Sequence, residues 1–78
     1  MGRDQFDAVL ALTSLSPDAP ATMGARLVKV EGMKGKDAAA KVGVSAPAVS
    51  KVVRQVERIM ALAEAVMEAK RDYEARVA

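Results

Sequence analysis

Six side chains between positions 46 and 55 carry the groups that read the edges of DNA bases. Arg54 and Lys51 can donate hydrogen bonds to guanine O6 and N7, and Gln55 can pair with adenine. A serine hydroxyl suits a base or a phosphate, and small apolar side chains suit the thymine methyl group. The candidate base-contacting residues are Ala46, Pro47, Ser50, Lys51, Arg54 and Gln55.

A helix must hold these residues on one face, and residues 37–59, DAAAKVGVSAPAVSKVVRQVERI, have the pattern of two helices joined by a tight turn. Ala39 is small enough to let the two helices cross closely. Gly43, four residues later, accepts the positive φ that a sharp turn requires. The residues expected to face inward and hold the second helix are Val44, Val49 and Val52. This pattern is typical of a helix-turn-helix, whose second helix lies in the major groove of DNA.

Positive charge is concentrated around this motif. Residues 33–58 contain six Lys or Arg and two Asp or Glu, a net charge of +4, whereas residues 1–32 and 59–78 each carry −1. A local basic surface is the footprint expected of a polyanion-binding protein. Ser45 is placed to cap the second helix and can also donate to phosphate. The candidate phosphate-contacting residues are Lys34, Lys36, Lys41, Ser45 and Arg58.

Helical spacing dominates the chain, and no segment shows the sustained alternation of a strand, so an all-α fold is predicted. Helices are expected over residues 4–13, 21–31 and 36–42, and a fourth is expected to begin at Ala46. The residues of the first helix expected to face inward are Phe6, Val9, Leu10 and Leu12. The apolar members of the second helix are Met23, Leu27, Val28 and Val30.

The fourth helix has no obvious end, because no glycine or proline follows Pro47. Its apolar positions step by threes and fours as far as Val77, which is heptad spacing, although Lys70 interrupts the series. It can continue unbroken or divide near residues 61–63, and its tail can fold back onto the core or meet a second copy. We expect a dimerisation extension. Its candidate interface residues are Ile59, Ala63, Val66 and Tyr73.

The composition narrows the classes of function. The 78 residues include no cysteine and no histidine, which excludes disulfides, the usual zinc sites and a Cys or His nucleophile. With one Phe, one Tyr and no Trp the core is thin, and such small domains often need oligomerisation. We expect no enzyme activity, no catalytic residue, no metal and no cofactor, and no small-molecule ligand can be inferred.

The chain is expected to comprise a helix-turn-helix domain over residues 1–58 and a dimerisation helix over residues 59–78. No segment approaches the roughly 20 apolar residues that span a bilayer. Acidic residues precede the short apolar run at the N-terminus, unlike a secretory signal. We therefore expect a cytoplasmic protein with no membrane partner.

Residues 25–56, ARLVKVEGMKGKDAAAKVGVSAPAVSKVVRQV, preceded by QFDAVLAL, resemble the TrfB/KorA-type repressors of broad-host-range plasmids. That family has a Gln-Phe-containing helix, an Ala-Arg-x-x-Leu/Val helix, a glycine turn and a recognition segment with Ala-Val-Ser. Residues 48–51 match this segment, with Lys51 where the family has a base-reading glutamine. The resemblance implies a homodimeric plasmid or phage repressor that binds a palindromic operator. This chain has no substantial domain after the motif, so its helical tail would have to dimerise.

Two functions compete on the sequence alone. The local charge and the outward Ser50, Lys51 and Arg54 favour sequence-specific binding of double-stranded DNA. The Met- and Val-rich tail favours a protein-interaction module that binds a host regulator or a polymerase subunit. The alternative explanation of the charge is a solvated lysine-rich face, which small helical domains often have. For a twofold dimer on DNA, half-sites are expected about one helical turn, roughly 34–36 Å, or a multiple of it apart.

Overall fold

The computed structural model describes residues 1–77, which form four α-helices. α1 spans Arg3–Ala11, α2 Pro20–Lys29, α3 Gly35–Val42 and α4 Ala46–Val77. Because no strand occurs in residues 1–77, the predicted all-α class is confirmed. Ala78, the last residue of the expected dimerisation segment, lies outside the described residues.

The end of α1 is set by a local hydrogen-bonded turn rather than by the prolines that follow it. The amides of Leu12 and Thr13 donate to the carbonyls of Val9 and Leu10, both at 3.0 Å. The Thr13 hydroxyl also donates to Leu10 O at 2.9 Å and accepts from the Leu15 amide at 3.1 Å. The helix therefore ends earlier than predicted, and Leu12 lies in the turn, where it is 67% exposed instead of facing the core.

α2 buries its small residues, while its large apolar residues are exposed or half-buried. Thr22, Gly24 and Ala25 are buried, whereas Met23 is 46% exposed. The other apolar members, Leu27, Val28 and Val30, are half-buried. The reason is that α2 packs against both α3 and α4, and only small side chains allow two such close contacts along one helix.

Gly24 marks the closest approach of α2 to its neighbours. A Cβ atom on this glycine would lie 2.7 Å from Cγ2 of Val49 in α4 and 3.2 Å from Cγ2 of Val42 in α3. Carbon atoms that are not bonded prefer separations of about 3.5–4.0 Å. Val49 is itself completely buried. Three helices therefore meet at a point where only the hydrogen atom of a glycine fits.

The turn between α3 and α4 has the geometry that the sequence predicts. Gly43 has φ +75°, a left-handed conformation that costs a residue with a Cβ atom roughly 1–2 kcal/mol. The amides of Gly43 and Val44 both donate to the carbonyl of Ala39, at 2.9 and 3.1 Å. Such bonds satisfy the last carbonyls of a helix and turn the chain sharply. Ala39 is buried, as expected for a crossing residue.

α1 completes the core along α4. The buried cluster contains Phe6, Val9, Leu10, Ala25, Val52 and Val56. The guanidinium carbon of Arg26 lies 4.9 Å from the centre of the Phe6 ring, and Arg26 also pairs with Asp7. A cation at this distance is attracted to the ring face. The contact ties α2 to α1 at the surface of the core.

α4 is one continuous helix of 32 residues and does not divide near residues 61–63. At 1.5 Å per residue it is about 48 Å long, which accounts for most of the 52 Å long axis of the molecule. It crosses the expected domain boundary after residue 58 without a break and does not fold back onto the core. Within residues 1–77 no helix, α4 included, is long and apolar enough to cross a membrane.

Replacement of Gly24 by alanine tests the three-helix junction. The added methyl group would overlap Val49, and overpacking of this kind costs about 1–3 kcal/mol, partly offset by the helix propensity of alanine. We expect Gly24→Ala to lower the free energy of unfolding in urea by about 1–2 kcal/mol. Gly35→Ala is the control, since a Cβ there meets nothing within 4 Å. Equal stability of the two variants would show that the junction can expand.

Candidate nucleic-acid interface

The N-terminal half of α4 separates an apolar side from a basic side. Val49, Val52 and Val56 are buried against the other helices. Residues on the opposite side of these turns project into solvent, because side chains on a helix recur every 3.6 residues. We call this exposed set the basic face; it comprises Pro47, Ser50, Lys51, Arg54 and Arg58. Three cations and a hydroxyl therefore lie on one accessible helical surface.

The remaining candidate base-contacting residues flank the basic face. Ala46 is half-buried and lies on one flank, whereas Gln55 is exposed on the other. Ala46 borders a shallow groove along α4, and the residues lining it are Ala46, Pro47, Ser50, Val53, Arg54 and Glu57. The structure thus brings most of the predicted base-contacting set together along one helix. Val53 and Glu57 also line the groove but are not among the predicted base-contacting residues.

Ser45 caps α4 as predicted. Its Oγ accepts a hydrogen bond from the Ala48 amide at 3.3 Å. A hydroxyl has one donor and two acceptor sites, so the cap leaves the proton of Ser45 free to donate to a phosphate. The first amides of α4 lie beside it, and the positive end of the helix dipole favours an anion there.

The predicted phosphate-contacting lysines of α3 do not all lie in one place. Lys34 and Lys36 are exposed at the start of α3. Lys41, at the other end of α3, borders a separate groove between α2 and α3, together with Met23 and Leu27. Lys41 is therefore positioned by α2 and α3, while the basic face is positioned by α4.

An ion pair between distant residues lies beside the basic face. Lys29 Nζ lies 3.2 Å from Glu57 Oε1, and this contact joins the end of α2 to α4. Lys29 thereby offsets the charge of Glu57, the one carboxylate among the residues that line the α4 groove with Arg54. The two residues are 28 positions apart, so helical periodicity gives no signal of their contact. Sequence reasoning missed Lys29 for that reason.

The second half of α4 carries exposed apolar side chains. Leu62, Val66 and Tyr73 are 54%, 66% and 67% exposed. Of the other predicted interface residues, Ile59 is half-buried where it packs against the core, and Ala63 is also half-buried. This apolar surface is exposed to water in the single chain. Large exposed apolar patches usually mark sites where a protein binds another molecule.

Comparisons with protein-family models, with characterised proteins and with solved structures find no match for this chain. The resemblance to plasmid repressors therefore depends on the residue pattern of the sequence and stays a prediction.

The Lys29–Glu57 pair predicts a charge effect on DNA affinity. Lys29→Ala leaves Glu57 without its cation beside the basic face, so we expect DNA binding at low salt to weaken roughly two- to five-fold. Arg71→Ala is the control, because it removes one exposed positive charge far along the tail. Glu57→Gln should strengthen binding. Equal losses in the Lys29 and Arg71 variants, measured by fluorescence anisotropy, would contradict a local role for Lys29.

Proposed function

We propose that this protein is a sequence-specific DNA-binding transcriptional repressor that acts as a homodimer in the cytoplasm, with no catalytic activity and no cofactor. The α3–Gly43–α4 unit is a helix-turn-helix, and the first turns of α4 enter the major groove of a palindromic operator. By the resemblance noted above, the repressor is of the TrfB/KorA type that controls plasmid or phage genes.

The observation that carries this proposal is the basic face on a helix whose opposite side is fixed in the core. Val49 and Val56 are completely buried, so rotation of α4 about its axis would break the packing with α2 and α3. Ser50, Lys51 and Arg54 are therefore attached to one exposed side of a helix whose rotation is fixed. A rigid helix can place such side chains at base edges in one register, which is what discrimination between bases requires.

In the proposed complex the candidate contacts divide into two classes. Arg54 and Lys51 read guanine, and Gln55 reads adenine from the flank. Ser45 and the lysines at the start of α3 hold phosphates on the neighbouring strand. Lys41 contributes to long-range attraction, because the groove that it borders lies between α2 and α3.

The exposed apolar tail supports the second candidate function, a module that binds a helix of another protein. Binding of DNA and binding of another protein are compatible in one chain, because the first would use residues 46–58 and the second residues 59–77. The two functions differ in their response to salt and to DNA sequence, which makes them separable by experiment.

Selection of bound sites from a random DNA pool tests the proposal directly. A repressor of this type should enrich a palindromic motif, and its affinity should fall with salt at a slope near −0.9 per phosphate neutralised. Failure to retain any DNA at low salt would exclude the proposal. Enrichment of no motif together with a steep salt dependence would leave nonspecific DNA binding and exclude a sequence-specific repressor.

Arg54→Ala tests the assignment of base reading. The substitution removes one bidentate arginine contact to guanine from each subunit, and each contact is worth about 1–3 kcal/mol. We therefore expect operator affinity to fall at least about 30-fold, with a relaxed preference at one base pair in each half-site. Arg71→Ala is the control, because Arg71 is exposed on the tail of the same helix. Circular dichroism should show an unchanged helix content in both. Unchanged operator preference would remove Arg54 from the base-reading set.

Val66→Asp tests dimerisation through the tail. Val66 is exposed in the single chain, so a charge there does not disturb the core, but burial of that charge between two copies would cost several kcal/mol. We expect a monomer in sedimentation equilibrium and weaker operator binding. Ala75→Asp, on the other side of the tail, should remain a dimer. An unchanged dimer in the Val66 variant would contradict a tail interface.

A further inference from the structure

The exposed side of the tail contains a heptad series better suited to a partner than the series expected from the sequence. The sequence-based series passes through Ala63 and Lys70. In the structure Ala63 is half-buried, and Lys70 lies 4.0 Å from Glu74 in an ion pair. Leu62 is 54% exposed, and Ala69 is also exposed. We call the resulting series the seam; it comprises Ile59, Leu62, Val66, Ala69 and Tyr73, with steps of three and four.

We infer that the occupant of the seam is a second copy of this chain, and that the two tails run antiparallel. The order of side-chain sizes along the seam gives the direction. A parallel pair would place each residue opposite itself. Ala69 would then face Ala69 and leave a gap, the bulky Tyr73 would face Tyr73, and the next seam position, Arg76, would face Arg76. A gap, a crowded layer and a pair of like charges would follow one another within two turns.

An antiparallel pair centred between residues 67 and 68 removes all three conflicts. The seam residues alternate between heptad positions a and d, and each layer then combines an a position of one helix with a d position of the other. The layers are Val66 with Ala69, Leu62 with Tyr73, and Ile59 with Arg76, each formed twice. Small residues meet medium ones at the centre and the tyrosine meets leucine. The aliphatic stem of Arg76 covers Ile59 while its charged end reaches water.

The charges beside the seam do not set the direction. In the antiparallel pair Asp72 of the second copy lies level with residue 63, five residues or about 7.5 Å along the axis from Arg58. The two copies of Lys70 are offset by the same five residues, and Glu74 offsets part of their charge. This attraction and this repulsion oppose each other, so the direction depends on the sizes of the seam residues and on Arg76.

The antiparallel arrangement also settles which way the basic faces point; this step rests on the proposed function. At about 100° per residue, the basic face lies roughly a quarter turn around α4 from the seam. The twofold axis of an antiparallel pair is perpendicular to both helices and to the line that joins them. Both basic faces therefore point to the same side of the dimer, with both cores on the other side. A parallel pair would direct them to opposite sides.

The distance between the two basic faces follows from the unbroken helix. Arg54 lies about 13 residues before the centre of the overlap, so the two copies of Arg54 are about 40 Å apart along the pair at 1.5 Å per residue. If the pair is inclined by about 30° to the DNA axis, this separation corresponds to about one turn of B-DNA.

Disulfide cross-linking in the full chain tests the direction, since the native sequence has no cysteine. Leu62→Cys and Tyr73→Cys change exposed residues that face each other across the antiparallel pair. Each position lies about 16 Å along that pair from its own copy, which is beyond the reach of a disulfide. We expect a covalent dimer when the two variants are mixed, unfolded together, refolded and oxidised without DNA. Neither variant alone should cross-link efficiently. Circular dichroism of each reduced variant confirms that it folds.

The other outcomes overturn the inference in distinguishable ways. Covalent dimers in each variant alone, and not selectively in the mixture, would show a parallel pair. The absence of cross-links in every sample, with a monomer in sedimentation equilibrium, would show that the seam serves another protein or no partner. Because the experiment contains no DNA, its failure leaves the DNA-binding proposal to be judged by site selection, and a negative site selection leaves the cross-linking result standing.

Discussion

The packing of Val49 against Gly24 fixes the positions of three of the four helices. Val49 is completely buried, and the absence of a side chain on Gly24 allows α2 to approach it. This contact sets the rotation of α4 about its axis. The exposed positions of Ser50, Lys51 and Arg54 follow from that rotation, because they lie on the opposite side of the same turns. A buried contact without polar groups thus determines the direction of the polar surface.

The two halves of α4 differ in what stabilises them. The first half packs against α1, α2 and α3. Beyond residue 63 every described residue of the helix is exposed, so no tertiary packing supports it there. Short helices without tertiary contacts are marginal in water. In the proposed dimer the second copy supplies the missing contacts, and association and helix stability become coupled along the tail.

The local features of this fold could be predicted from the sequence. The glycine turn, the Ser45 cap and the buried valines of α4 depend on residues close together in the chain, and their types indicate their conformations directly. The face of α2 that is buried was not predictable, because large apolar residues mark a buried face only when the neighbouring helices leave space for them. In this fold α3 and α4 both approach α2 closely, so the buried face carries Gly24 instead of a large residue. The contact of Lys29 with Glu57 was missed because it joins two helices at an angle that the sequence does not encode.

The absence of a loop within α4 joins the proposed recognition surface and the proposed dimer surface in one rigid body. A flexible linker would tolerate changes of length, but a continuous helix converts each change into a rotation. One residue inserted near position 61 would turn the basic face by about 100° relative to the seam and move it about 1.5 Å. Seven inserted residues would nearly restore the orientation and lengthen the dimer by about 21 Å in total. Viable variation in the length of this helix is therefore expected in steps of whole heptads, each matched by a longer operator.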